Sequence, residues 1–320
     1  MKRLISLFIC LCAFVSYVNA AETVIIVDGK PLEFFDANKT EYRYYLPHGT
    51  TKIPKVTASN NAKISVRGEQ KIVTVSLDDK TYKIVFETLP KLDMFLCIGQ
   101  SNMAGRAPIN DEDKTPIPNV YLFTPQGNWE PAVNPLNKYS SVRKEIGVQK
   151  IGPAYGFAKK IAETTGRPVG LIVNAKGGTT IEEWTKGNKA DLYGKSIQRA
   201  LDAKRWGEYK SILWHQGESS IGRVKTYPEQ LKELVKNLRT DLGDDKLFFV
   251  AGEIGRWQKD NGFNAMLGKI KTFVDNSGIV SAKDLKPING NINDPHFDRE
   301  SQLILGTRYA ECVLKNVLGR

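Results

Sequence analysis

"MFLCIGQSNMAG", residues 94–105, is the stretch on which the fold turns. Its apolar run, Met94 to Ile98, passes into Gly99-Gln100-Ser101, and a second glycine follows at Gly105. A short continuous apolar run bounded by glycine fits a strand buried on both faces, as in a parallel sheet. Ser101 would then stand at the carboxyl end of that strand, where open α/β sheets place their functional residues.

Towards the C-terminus the same pattern recurs. "VYLF", "VGLIVNA", "SILWHQG" and "LFFVAGEI" read as strands. Between and after them lie runs at helical spacing: "GPAYGFAKKIAETTG", "SIQRALDAKRW", "YPEQLKELVKNLRTDLG", "FNAMLGKIKTFVDN" and the closing "RESQLILGTRYAECVLKNVL". Alternating β and α predicts an α/β domain over 91–320: a three-layer, doubly wound, flavodoxin-like parallel sheet with helices on both faces. Towards the N-terminus the pattern differs. "KISVRG", "KIVTVSLDD" and "TYKIVFETL" alternate apolar and polar residues, and Asp28-Gly29 marks a turn. Residues 21–90 are expected to form a small all-β sandwich of the Ig-like or cadherin-like kind, a packing spacer or an aid to ligand binding, with the rings of "EFF" and "YRYY" partly in its core.

Residues 1–20 read as a secretory signal peptide. Lys2 and Arg3 precede the apolar "LISLFICLCAFVSYV", and Ala20 and Ala21 are small residues suited to cleavage. The run is short for a membrane span, and no other segment is long and apolar enough. The expectation is a soluble protein, secreted or periplasmic. Export permits a disulfide, but of four cysteines only Cys97 and Cys312 would remain, and two buried thiols are the simpler reading. The net charge falls from +11 to +9 with the loss of Lys2 and Arg3, and it is scattered. No basic, aromatic-laced stripe suggests nucleic acid, and no cysteine or histidine spacing suggests a metal. No cofactor is implied, and the oligomeric state does not follow.

Candidate functional residues gather at the predicted strand ends. These are Ser101 in "GQSNMAG", Gly177 and Gly178 in "NAKGGTT", His215, Gln216 and Glu218 in "WHQGESS", and Glu253 in "AGEIGRW". "NDPHFD" before the last helix adds Asp294, His296 and Asp298. Of three histidines, His48 sits in a turn-like surface segment, so only His215 and His296 could serve this edge. Serine needs a base to become a nucleophile, and histidine needs a partner to fix its tautomer. Successive glycines allow a close backbone approach, with N–H groups facing an oxyanion. The parts suit acyl transfer, although each alone also fits a turn, a cap or a core position.

"IGQSNMAG", "GGTTIEEW", "WHQGES" and "HFDRESQLILGTRYA" resemble the blocks of SGNH-type carbohydrate esterases. The nearest branch is the sialate O-acetylesterase-like group, which includes the acetylxylan esterases of carbohydrate esterase family six. The resemblance runs from about Lys91 to the C-terminus and omits 22–90. It implies an acetylated glycan as substrate, Ser101 as nucleophile and His296 as general base. The oxyanion would be held by the Ser101 N–H, a glycine N–H of Gly178 or Gly177, and the Gln216 side chain. Gln216→Ala should then slow turnover without unfolding the domain. Glu218 belongs to the same block with a less defined role.

One departure stands out. The superfamily usually carries Asp three residues before the catalytic His, and here that residue is Asn293. Asp294 is the preferred substitute. Glu218, Asp298 or a backbone carbonyl are the alternatives, and a non-catalytic glycan-binding protein on an esterase scaffold is the competing reading. A lipase or thioesterase is disfavoured, since no apolar lid segment lies near the site. Trp184, Trp214 and Trp257 could stack on sugar or pack in the core. Arg106 could meet a sialic carboxylate or lie solvated in a loop.

Overall fold

The decisive strand runs Leu92–Gly99 (β1) and is buried along its whole length. In the computed structural model, which describes residues 24–59, 62–77 and 79–320, its side chains divide between two cores. Met94, Leu96 and Ile98 belong to one apolar cluster, and Phe95 and Cys97 to the other. A strand's period of two sends successive side chains to opposite faces, so an unbroken apolar run requires cover on both.

The cover comes from four helices. Pro153–Thr165 (α1) and Arg299–Val313 (α4) pack together and share the cluster of Phe95. Leu192–Ala203 (α2) and Tyr227–Leu242 (α3) supply the cluster of Met94. Local sequence sets their ends. Pro153 stands in the first turn of α1, where its missing N–H costs nothing, and Gly166 closes the helix in a left-handed conformation at φ +66°. Asp298 caps α4 by accepting from the Ser301 N–H at 2.8 Å.

The sheet has seven strands. The others are Val120–Phe123 (β2), Trp129–Pro131 (β3), Val169–Ala175 (β4), Gly207–His215 (β5), Phe248–Gly252 (β6) and Ser277–Val280 (β7). Their order is β3-β2-β4-β1-β5-β6-β7. All neighbours are parallel except β3, which pairs antiparallel with β2. β1 is central, and the chain moves from β4 on one side of it to β5 on the other. That is the topological switch where α/β sheets open a crevice.

Two edge strands, β3 and β7, were not expected, since each is short and pairs on one side only. The expected helix over "FNAMLGKIKTFVDN" is confined to Phe263–Leu267, with Gly268 at its C-cap and a separate 3₁₀ turn at Ile270–Thr272. Glycine's backbone entropy weakens a helix there.

The chain divides into two compact units. One comprises the described residues up to Arg43 with Lys52–Phe86, and the other comprises Tyr44–Thr51 and Glu87–Arg320. Tyr45, inside the stretch expected to be wholly β module, packs with Leu89 in the core of the larger unit. Among the described residues the smaller unit holds strands and no helix; Ile25–Val27 pairs antiparallel with Lys30–Pro31 and Val56–Ala58, and Ile72–Leu77 pairs antiparallel with Lys63–Arg67 and Lys80–Thr88. Val73, Val75, Tyr82, Ile84 and Phe86 are buried on alternate positions. Cys97 and Cys312 are free thiols. The expected signal peptide lies outside the described residues. Among the described residues no helix is long and apolar enough to cross a membrane.

Candidate active site

Ser101 opens a single helical turn, Ser101–Ala104, directly after β1. Gly99 makes the turn possible. Its φ is +136°, and a Cβ there would fall 2.1 Å from the His215 carbonyl oxygen, so no side chain is tolerated. The Gln100 N–H donates to that carbonyl at 2.9 Å. The Gln100 Oε1 accepts from the Gln216 Nε2 at 3.1 Å, the Ser219 N–H at 3.2 Å and the Gly217 N–H at 3.4 Å. The ends of β1 and β5 are thereby joined around the serine.

The loop after β4 closes the opposite side. A Cβ on Gly177 would lie 3.3 Å from the Ser101 Cβ and 2.4 Å from the Arg106 Nη2. A side chain on residue 177 would displace the Arg106 guanidinium and press on Ser101. Among the described residues no hydrogen bond engages the backbone N–H of Ser101, Gly177 or Gly178. Unengaged N–H groups beside a serine hydroxyl are what an oxyanion would need.

His296 arrives on the segment before α4. "DPH" folds as an Asx turn, in which an aspartate oxygen accepts from the backbone two residues on. The Asp294 Oδ1 accepts from the His296 N–H at 2.9 Å and lies 2.7 Å from the His296 Nδ1. A proton on Nδ1 donated to this carboxylate leaves Nε2 as the basic nitrogen. The turn is held by Trp257, whose Nε1 donates to the Asp294 carbonyl at 2.9 Å and whose ring packs edge-on against Phe297. Asp298 is occupied as the α4 cap. Glu218 lies against the other histidine, its Oε1 3.6 Å from the His215 Nε2. Of the three carboxylates weighed for His296, Asp294 is the one that touches the ring.

Ser101, Gly177, Gly178, Glu218 and His296 line one cleft of about 520 Å³. Gln100, Arg106, Lys144, Ser219, Gln258, Asn293 and Pro295 complete its wall. Asp294 stands behind His296. Burial lowers the Arg106 guanidinium from the usual arginine range, and among the described residues it has no ion-pair partner within 4.0 Å. Its Nη1 donates to the Gly105 carbonyl at 2.6 Å. Among the described residues no group of three or more His, Cys, Asp or Glu could hold a metal ion.

Gln216 is not on this wall. It is fully buried, and its Nε2 lies 3.1 Å from the Gln100 Oε1, 3.0 Å from the Thr179 carbonyl and 2.9 Å from the Ser220 Oγ. Its Oε1 accepts from the Tyr227 hydroxyl at 2.8 Å. An amide has two N–H donors, both committed here, so the expected oxyanion role of the Gln216 side chain does not fit. Gln216 instead anchors Gln100 and, through it, the turn before Ser101.

Other strand-end residues take the bland reading. Glu253 makes a paired contact with the Arg256 guanidinium at 2.9 Å and accepts from the Ala282 N–H. Trp184 and Trp214 are buried core rings in edge-on contact. His215 is fully buried. Sequence reasoning passed over Gln100 and Asn102 as site builders, and weighed Trp257 only for stacking on sugar or packing in the core. The only signal for the first two was their place beside Ser101 in "GQSN".

With this geometry in view, the comparisons with known proteins are informative. Residues 91–315 match the family described as carbohydrate esterase, sialic acid-specific acetylesterase. A probable carbohydrate esterase from Arabidopsis thaliana is 32% identical over 252 residues, covering 71% of this chain and 92% of that protein. The crystal structure of an Arabidopsis thaliana protein superposes with a TM-score of 0.63 at 28% identity, over 71% of this chain and 100% of that one. A carbohydrate acetylesterase structure from Xanthomonas citri shares the fold at a TM-score of 0.53 and 19% identity, over 93% of this chain and 69% of that one. The chain belongs to the sialic acid-specific acetylesterase family of carbohydrate esterases.

Proposed function

We propose that this protein hydrolyses O-acetyl esters on sugars through an acetyl-serine intermediate on an SGNH-type domain. The observation that carries the reading is the Asp294–His296 pair at 2.7 Å facing the same cleft as Ser101 and the Gly177-Gly178 backbone. His296 Nε2 takes the proton from Ser101 Oγ as that oxygen attacks the acetyl carbonyl carbon. The resulting oxyanion is held by the N–H of Ser101 and of Gly178 or Gly177. His296 returns the proton to the departing sugar hydroxyl. Water, deprotonated by His296, then attacks the acetyl-serine, and acetate and free Ser101 are released.

An acidic sugar suits this cleft better than a neutral one. Arg106 and Lys144 line it, and among the described residues neither has an ion-pair partner, whereas Glu218, its one lining carboxylate, faces His215. The N-terminal sequence supports export through a cleaved signal peptide, and the smaller unit is read as an Ig-like or cadherin-like spacer. The test is acetate release from O-acetylated sialic acid and from acetylated xylan, with p-nitrophenyl acetate as a neutral probe. Ser101→Ala and His296→Ala should each abolish release, and Arg106→Ala should impair the sialate reaction far more than the other two. Wild-type release no greater than that of Ser101→Ala on every ester would overturn the esterase reading. Equal loss on all three substrates in Arg106→Ala would overturn the acidic-sugar reading.

A further inference from the structure

Asn102, the residue after the nucleophile, has no exposed surface and takes no part in lining the cleft. Its side chain nonetheless makes four hydrogen bonds. Its Nδ2 donates to the Glu218 Oε1 and, at 3.0 Å, to the Pro295 carbonyl. Its Oδ1 accepts from the Phe297 N–H at 3.2 Å and from the Gln302 Nε2 at 3.2 Å. A side-chain amide has two donors and one oxygen with two acceptor sites, and all four are in use. Pro295 and Phe297 are the two neighbours of His296. The amide beside Ser101 therefore grips the chain immediately before and immediately after the base, across more than 190 residues of sequence.

Behind Asn102 stands a buried polar chain that fixes which way the amide points. The Tyr309 hydroxyl donates to the Trp214 carbonyl at 2.6 Å, so it accepts from the His215 Nδ1 at 3.2 Å. The other ring nitrogen of His215 faces Glu218. The carboxylate of Glu218 can only accept, so it selects the NH₂ end of Asn102, and the amide oxygen is turned towards Phe297. The amide of Asn102 is fully satisfied, while the His215 Nε2 and the Glu218 Oε2 have no hydrogen-bond partner among the described residues.

We propose that Asn102 is a positioning residue that sets the approach of His296 to Ser101, and that Glu218, backed by His215 and Tyr309, sets the orientation of Asn102. The proposal rests on the Ser101–His296 reading above. It also gives the Glu of "WHQGES" a role: Glu218 neither orients the catalytic ring nor binds the oxyanion, but aims the amide that places the base.

The test compares wild type, Asn102→Asp, and the double variant Asn102→Asp with Glu218→Gln, using Ser101→Ala and His296→Ala as references. Asn102→Asp keeps shape but turns both donors into acceptors, against Glu218 and the Pro295 carbonyl. A misplacement near 1 Å costs on the order of 100-fold in kcat, and KM should stay within about twofold because no cleft-lining group has changed. The double variant reverses the hydrogen bond, with the amide now on residue 218, and should recover about tenfold of that loss. A second readout needs no turnover: the downfield proton resonance of the His296–Asp294 hydrogen bond, assigned by its absence in His296→Ala. It should persist in Ser101→Ala and broaden or vanish in Asn102→Asp. Should Asn102→Asp not fold, Asn102→Ala gives the same comparison. Unchanged kcat in a folded Asn102 variant, a loss confined to KM, or a resonance as sharp as in wild type would overturn the proposal. A wild type without Ser101-dependent turnover would overturn the esterase reading, while the resonance would still decide the role of Asn102.

Discussion

Replacing Asp294 with Asn keeps the shape of the Asx turn and removes one negative charge. The magnitude follows from the geometry. Unit charges 2.7 Å apart attract by about 1.5 kcal/mol at the permittivity of water and by about 6 kcal/mol at an effective value near 20. The side chains of His296 and Asp294 are 24% and 32% exposed, so solvent screens the pair and the lower half of that range applies. A loss of about 2–4 kcal/mol of imidazolium stabilisation in the transition state corresponds to about 30- to 900-fold in kcat. This is smaller than the ~10⁴-fold cost of the same change in a fully buried protease triad. The assay is steady-state hydrolysis of p-nitrophenyl acetate across pH, with KM expected to hold. Activity within about twofold of wild type would refute the pairing as the orienting contact and favour a Ser-His dyad. A loss as deep as that of Ser101→Ala would refute the argument from exposure.

Three further outcomes follow from other buried polar contacts. Gln216→Ala should act on stability before chemistry: it strands Gln100, Thr179 and Tyr227 partners in the interior, a cost of about 2–4 kcal/mol readable as a lowered denaturant midpoint. Arg299→Ala should destabilise by about 3 kcal/mol, because Asp113, whose side chain is 1% exposed, loses its paired contacts at 2.8 Å; thermal melting would register this as a drop of roughly 6–12 °C. Glu218 should make the fold acid-sensitive. Burial alone would raise its carboxyl, but the His215 imidazole 3.6 Å away, its own N–H and the Asn102 amide outweigh burial and hold it below the ordinary value of 4.5. A group depressed in the fold stabilises above its unfolded pKa and loses that contribution as pH falls through the folded one. Stability should therefore decline below about pH 4.5 in wild type and be flatter there in Glu218→Gln, as measured by urea unfolding at stepped pH.

The fold was legible wherever one local pattern recurred. The run Met94–Ile98 has no polar gap because both faces of β1 are covered, and the change from period two to helical spacing near Lys91 follows from the change from antiparallel strands to β-α units. The edge strands escaped because a three- or four-residue strand paired on one side carries little apolar signature. The segment Tyr44–Thr51 escaped as well, since the residues that make it part of the larger unit lie far along the chain.

The sequence by itself singled out Ser101, the Gly177-Gly178 pair and His296 as candidates, because each sits at a strand end or turn that its own neighbours encode. It preferred Asp294 as the partner of His296 but kept Asp298, Glu218 and a backbone carbonyl as alternatives, since a sequence gives side chains no direction. Only the tertiary structure directs Asp294 back onto the ring, Asp298 onto the α4 N-terminus and Glu218 onto His215. The same holds for Gln216 and Asn102, whose partners include residues 37 to 200 positions away. A hydrogen bond depends on where two groups meet in space, and spacing along the chain reports that only when the two are near neighbours.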